Sequence, residues 1–222
     1  MKHTIFFMLA CTGLLFCNSP APKVPQNLNC YVRFLEQENR YRAEASLTET
    51  RTPGGSVAVE IPGGIRYDGK EMRLLPVKGM TYFIDEAGTY APEQAFTWSN
   101  AEGAAQKFAM SIGRLNGFGF AEKTIDRSRP GIFSWEGEPL EKGEALVFLW
   151  ENIETGNNVS MDIYGNNPMT QIEFPASKLS TMSPGKWSLY VVRRKMVKSD
   201  VGGMAVSGVI EFYSRTDTLL LK

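Results

Sequence analysis

Residues 179–192 read LSTMSPGKWSLYVV. From Trp187 to Val191 every second residue is apolar, with Ser188 and Tyr190 between them. A period of two places alternate side chains on opposite faces of an extended chain, so this is a strand pattern. Pro184 and Gly185 stand just before it. Proline removes a backbone donor and glycine reaches conformations closed to other residues, so the pair predicts a tight turn that opens the strand. The same alternation runs outward in both directions. Residues 31–47 read as a hairpin bent at 37–40, and residues 56–61 alternate up to Pro62-Gly63-Gly64. Asp68-Gly69 joins residues 65–67 to 72–77 with a strong hairpin signal. Further strands are expected at 80–84, 96–98, 132–135, 145–150, 159–164, 171–174 and 206–213. Residues 99–115 carry both periods. Ser99-x-x-Glu102 has capping-box spacing, yet Phe108, Met110 and Ile112 alternate, and Gly103 and Gly113 weaken a helix, so strand is the expectation there. The fold class read from these periods is all-β.

Met182, Pro184, Gly185 and Trp187 together resemble the E–F corner of fibronectin type III and related immunoglobulin-like domains. The family usually carries Tyr where this chain has Trp187. The resemblance covers about residues 130–215 and implies an immunoglobulin-like β-sandwich whose corner aromatic is tied to the core. Arg127-Ser128-Arg129-Pro130-Gly131 is the expected domain boundary. The chain therefore divides into residues 1–17, 18–28, 29–126 and 127–222, the last two as β-sandwich-like modules. Residues 145–150, ALVFLW, are apolar on both faces, so a covering partner is expected on the outer side, supplied by the first module.

The start of the chain carries an address. Lys2 and His3 precede a 13-residue apolar run, residues 5–17, which is shorter than the ~20 residues a spanning helix needs. Leu14-Leu15-Phe16-Cys17 resembles the lipobox of bacterial lipoproteins, and Asp217-Thr218-Leu219 resembles a short O-glycosylation acceptor of Bacteroidetes-type exported proteins. The first resemblance implies lipid attachment at Cys17, with Cys11 as the alternative. Residues 18–28, rich in proline, then form an extended tether.

Composition excludes several classes. Residues 1–17 hold one charged residue, Lys2, so the remainder has 24 − 1 = 23 Lys+Arg against 24 Asp+Glu, a charge of −1. Such a chain has no basic field to attract nucleic acid. Arg193-Arg194-Lys195 is the one basic cluster and reads as a solvated strand end. His3 is the only histidine, so a chain cleaved before Cys17 has none. That excludes Ser-His-Asp and Cys-His catalysis and imidazole-based zinc or copper sites. Cys30 alternates with Val32 and Phe34 and reads as a buried thiol.

The remaining motifs are weak. Ser183-x-x-Lys186 matches the serine–lysine signature, but Gly185 and the strand period deny it a helix. Gly113, Gly117 and Gly119 have no helix behind them to cradle phosphate. Asp162, Asn166 and Asn167 lack a calcium-loop ladder. Glu136 and Glu138 share a side of an extended chain, as paired carboxylates of a glycosidase would. Trp98, Trp135 and Trp150 have spacings that suit a sandwich core better than a sugar-stacking face. The expectation is a lipid-anchored envelope protein with a binding or structural role. It is expected to be no enzyme, to use no cofactor or metal, and to sit at the outer membrane facing the periplasm, with surface exposure as a variant. Its partners are the membrane, through the anchor, and envelope proteins or glycans. The alternative function is carbohydrate binding or cleavage.

Overall fold

The computed structural model describes residues 24–52, 54–76 and 79–222. Cys11, Cys17 and the first part of the tether lie outside them. The first half contributes β1 (Gln26–Leu35), β2 (Arg40–Thr52), β3 (Gly55–Val59), β4 (Ile65–Tyr67), β5 (Lys70–Glu71), β6 (Arg73–Leu75), β7 (Thr81–Ala87), β8 (Glu93–Ser99) and β9 (Ala105–Ser111). The second contributes β10 (Asn116–Phe120), β11 (Thr124–Ile125), β12 (Gly131–Glu136), β13 (Glu144–Asn152), β14 (Asn158–Tyr164), β15 (Gln171–Phe174), the single turn α1 (Ala176–Leu179), β16 (Gly185–Val201), β17 (Met204–Tyr213) and β18 (Asp217–Leu221). The protein is all-β. Residues 105–111 are strand, while the Asn100 side chain accepts the Glu102 and Ala104 amides and closes the turn before them.

The C-terminal sandwich packs the sheet β10-β12-β15 against the neighbours β14-β13-β16-β18. Three strands facing four is an immunoglobulin-like arrangement of the fibronectin type III kind. Its core is aromatic: Phe148 meets Phe133 and Phe174 edge-on, each at 4.8 Å between centroids. The N-terminal strands form a second layered unit. There β5-β4-β8-β9 covers the inward face of β7, β2 and β1, which carries Leu28, Val32, Phe34 and Ala43.

One strand joins the two. β16 is 17 residues long and outruns its own sandwich. Its start pairs with β18, its middle with β13, and its far half with β17. β17 in turn runs parallel to β1, from Asn27↔Ala205 to Leu35↔Tyr213. The hairpin arm β16–β17 thus completes the sheet of the first unit. Strands from both sides of residue 127 pair elsewhere too, β10 with β12 and β11 with β18. Residues 126–129 form a pinned turn, in which Arg127 donates to the carbonyls of Lys222, Ser180 and Met182.

Two expectations need correction. Arg193 is not a solvated strand end: it is 1% exposed. It continues the inward period of Trp187, Leu189 and Val191, and the tolerance for its charge comes from Glu144. Nor, among the described residues, is the outward face of β13 sealed by the first module. Val147 and Leu149 are half-buried beside Val192 and Tyr190 in the ladder, where the Tyr190 and Tyr213 rings stack at 6.4 Å.

Candidate functional site

The open end of the N-terminal unit encloses a cavity of about 340 Å³. Three local structures shape it. Gly202 and Gly203, both at positive φ, make the two-residue turn between β16 and β17, and the Asp200 carboxylate accepts the Gly203 amide. This is the geometry a twisted hairpin demands, and it thrusts Val201 and Met204 into the cavity wall. Gly63 and Gly64 turn the chain after Ile61, whose backbone bonds to the buried Tyr82 hydroxyl. The Asn100 turn forms the third side.

The inner wall is apolar: Leu28, Leu47, Ile61 and Trp98. Trp98 is 6% exposed and its indole N–H has no acceptor. Buried indoles usually find one. Trp135 donates to the Glu138 carbonyl and Trp187 to the Ser183 carbonyl, whereas Trp150, sealed in the core, shares the deficit of Trp98. Among the described residues, the ionisable side chains lining the cavity are Glu49 and Glu102, with no Lys or Arg. Val24, at the start of the described chain, lies on its rim.

A second polar centre sits where the two units meet. Arg193 donates to the Glu144 carboxylate at 2.5 and 3.0 Å and to the carbonyls of Glu138 and Pro139. Lys195 approaches the other Glu144 oxygen at 3.4 Å. Nearby, buried Glu36 binds the Arg114 guanidinium at 2.5 Å and accepts the Arg215 amide. Every group here is matched, which is the chemistry of a structural network.

The other candidate residues scatter. Glu136 and Glu138 are exposed. The Glu136 carboxyl lies over Gly117, and the Glu138 carboxyl lies beside Gly113 and Arg193. Neither lines the cavity. Trp98, Trp135 and Trp150 are all buried and present no stacking face. Ser183 accepts the Asn152 amide at the corner, and Lys186 lies in β16, so the pair shares no helix. Asp162 faces Arg194 at 3.8 Å. Among the described residues no group of three His, Cys, Asp or Glu is placed to hold a metal ion. Cys30 is buried, and burial pushes its thiol well above the usual range, the reverse of an activated nucleophile. Thr218, of the Asp217-Thr218-Leu219 motif, is exposed on β18.

The cavity escaped sequence reading because its walls come from five separate stretches. Only Gly202-Gly203 hinted at a hairpin tip. No family model and no curated protein matches the chain. Among solved structures it is similar to the FN1–FN3 domains of chicken CNTN1 at 11% identity and a TM-score of 0.24, over 76% of this chain and 62% of that one. The strand order, rather than this overlap, identifies the C-terminal sandwich.

Proposed function

We propose that the protein is a lipid-anchored component of a bacterial cell envelope with a non-enzymatic binding role, exerted through the cavity at the open end of its N-terminal unit. The observation that carries this reading is the position of Val24. The chain enters the fold at the cavity rim. Six residues separate Val24 from Cys17, and the seven Cα-to-Cα steps reach at most about 25 Å. Acyl groups on Cys17 would hold this end of the molecule, and its apolar cavity, close to the membrane. More than one chain makes such anchoring durable. The balanced charge supports membrane, protein or glycan partners over nucleic acid. The periplasmic face of the outer membrane is the proposed location, with surface exposure as a variant. The buried tryptophans support this reading over a sugar-binding one.

Metabolic labelling with a fatty-acid probe tests the anchor. Label is expected on the wild type and absent from Cys17→Ser, which should leave the membrane fraction. Label that persists in Cys17→Ser and disappears in Cys11→Ser reassigns the site. Label in neither cysteine's wild-type context removes the anchor.

A further inference from the structure

We infer that the edge of β14, Asn158–Tyr164, is a dimer interface, on which a second copy of this chain pairs its own β14 antiparallel about a two-fold axis at Met161. The inference goes beyond the proposed function and depends neither on the cavity nor on the anchor at Cys17.

Hydrogen-bond direction opens this edge. Among the described residues β14 pairs with β13 alone, in one unbroken register from Ala145↔Tyr164 to Glu151↔Asn158. At its two ends the Gly165 amide donates to the Glu144 carbonyl and the Asn152 amide to the Asn157 carbonyl. Bonded pairs alternate along an antiparallel ladder, so Val159, Met161 and Ile163 direct their N–H and C=O to β13. The same groups of Asn158, Ser160, Asp162 and Tyr164 point out of the sheet. Folded proteins blunt such edges with lysine, proline, bulges or short strands. β14 is seven residues long and carries none of these, whereas β9, an edge of equal length, carries Lys107. The one charge of β14, Asp162, lies 3.8 Å from Arg194.

A second copy is the occupant because the strand is its own complement. The two-fold axis sets Ser160 against the partner's Asp162 and Asn158 against the partner's Tyr164. Each pair joins two outward-pointing residues, as a bonded ladder requires. Between them Val159 meets the partner's Ile163, and Met161 meets the partner's Met161. These three side chains are half-buried and pack against the core, and non-bonded pairs bring side chains closest, so the second β14 extends that core. Charge fixes the register. A shift of two residues one way sets Asp162 against the partner's Asp162, a destabilising like-charge pair. A shift the other way sets Tyr164 against the partner's Gly156, outside the strand. A contact of this isologous kind closes at two copies.

Sedimentation of the full chain carrying Cys11→Ser and Cys17→Ser, over a concentration series, tests the pairing. A reversible dimer is expected, with the micromolar Kd of a small interface. Ser160→Pro removes an N–H that points away from β13, so the monomer keeps its ladder while the dimer loses bonds. Its Kd should rise at least roughly ten-fold, with an unchanged melting temperature. Two further variants read the register even if that proline disturbs the fold. Ser160→Lys, set against the partner's Asp162, should tighten the dimer, and Ser160→Asp should loosen it, each roughly five-fold. Met161→Cys should form a disulfide-linked dimer on mild oxidation, because residues on the axis form a non-bonded pair with Cα atoms about 4.5 Å apart. Cys30 is buried and stays out of the reaction. Ser160→Cys should cross-link far less. A chain that stays monomeric throughout the series overturns the inference. So does a dimer indifferent to Ser160→Pro, which would lie on another surface. Equal Kd values for Ser160→Lys and Ser160→Asp, or cross-linking no stronger at 161 than at 160, overturn it as well.

Discussion

Trp187 holds the corner of the C-terminal sandwich in two ways. Its ring is 1% exposed, and its indole N–H reaches the carbonyl of Ser183, four residues upstream, at 3.0 Å. The indole thereby performs the bond for which related corners use a phenol. Trp187→Ala should lower stability by about 3–5 kcal/mol, and Ser188→Ala, on the opposite face, by little. Denaturant midpoints of the two variants check this, and equal midpoints would mean the ring adds nothing. Arg193 poses the reverse problem, a charge forced inward by the same alternation. Removing one partner of a buried pair strands the other, so Arg193→Ala should cost about 3–5 kcal/mol. Arg193→Met with Glu144→Leu should recover much of that loss, although Lys195 then loses its contact with Glu144. If the double variant is as unstable as the single one, the carbonyls of Glu138 and Pro139 are what Arg193 chiefly serves.

At the scale of elements, the β16–β17 arm is the feature on which the architecture turns. Its inward face must fit the four-stranded sheet, and Gly208 is where the fit is tightest. A Cβ there would lie 2.2 Å from the Met110 sulfur and 2.6 Å from a Phe108 ring carbon. Glycine is needed at this position for close approach, since its φ lies outside the left-handed region. Gly208→Ala should therefore destabilise by roughly 1–3 kcal/mol through overpacking. Met110→Ala in the same chain should relieve part of that strain, a coupling that a double-mutant cycle measures. Simple additivity of the two changes would place the clash elsewhere. The strand character of 105–111 follows from the same packing: Phe108 and Met110 face the arm. The helical spacing in this stretch had no groove to fill.

For the whole molecule, the parallel pairing of β17 with β1 makes one sheet of eleven strands from segments at opposite ends of the chain. The buried residues of both halves also form one contiguous cluster. Unfolding is expected as a single transition, coincident by fluorescence and far-ultraviolet dichroism. Trp187→Ala and Gly208→Ala, from different ends of β16 and β17, should both move that one transition. Two separable transitions, with Trp187→Ala shifting only one, would show that the arm docks onto units that are stable alone.

Local physics was legible without coordinates. The period of two announced the strands, Pro184-Gly185 announced the corner, and Cys30 announced its own burial by alternating with Val32 and Phe34. Each of these depends on neighbours within a few residues, through backbone sterics and the alternation of side chains. The period even carried Arg193 onto the inward face. What it lacked was Glu144, 49 positions away, whose carboxylate makes that burial tolerable. The pairing of β1 with β17, the half-buried outward face of β13 and the cavity beside Trp98 are of the same kind. They depend on which distant segments meet, and apolar alternation, which makes any such strand fit many partners, does not encode the choice. Only the packed tertiary structure selects among them, because only there do a glycine at 208, a ring at 108 and a two-glycine hairpin tip have to fit the same space.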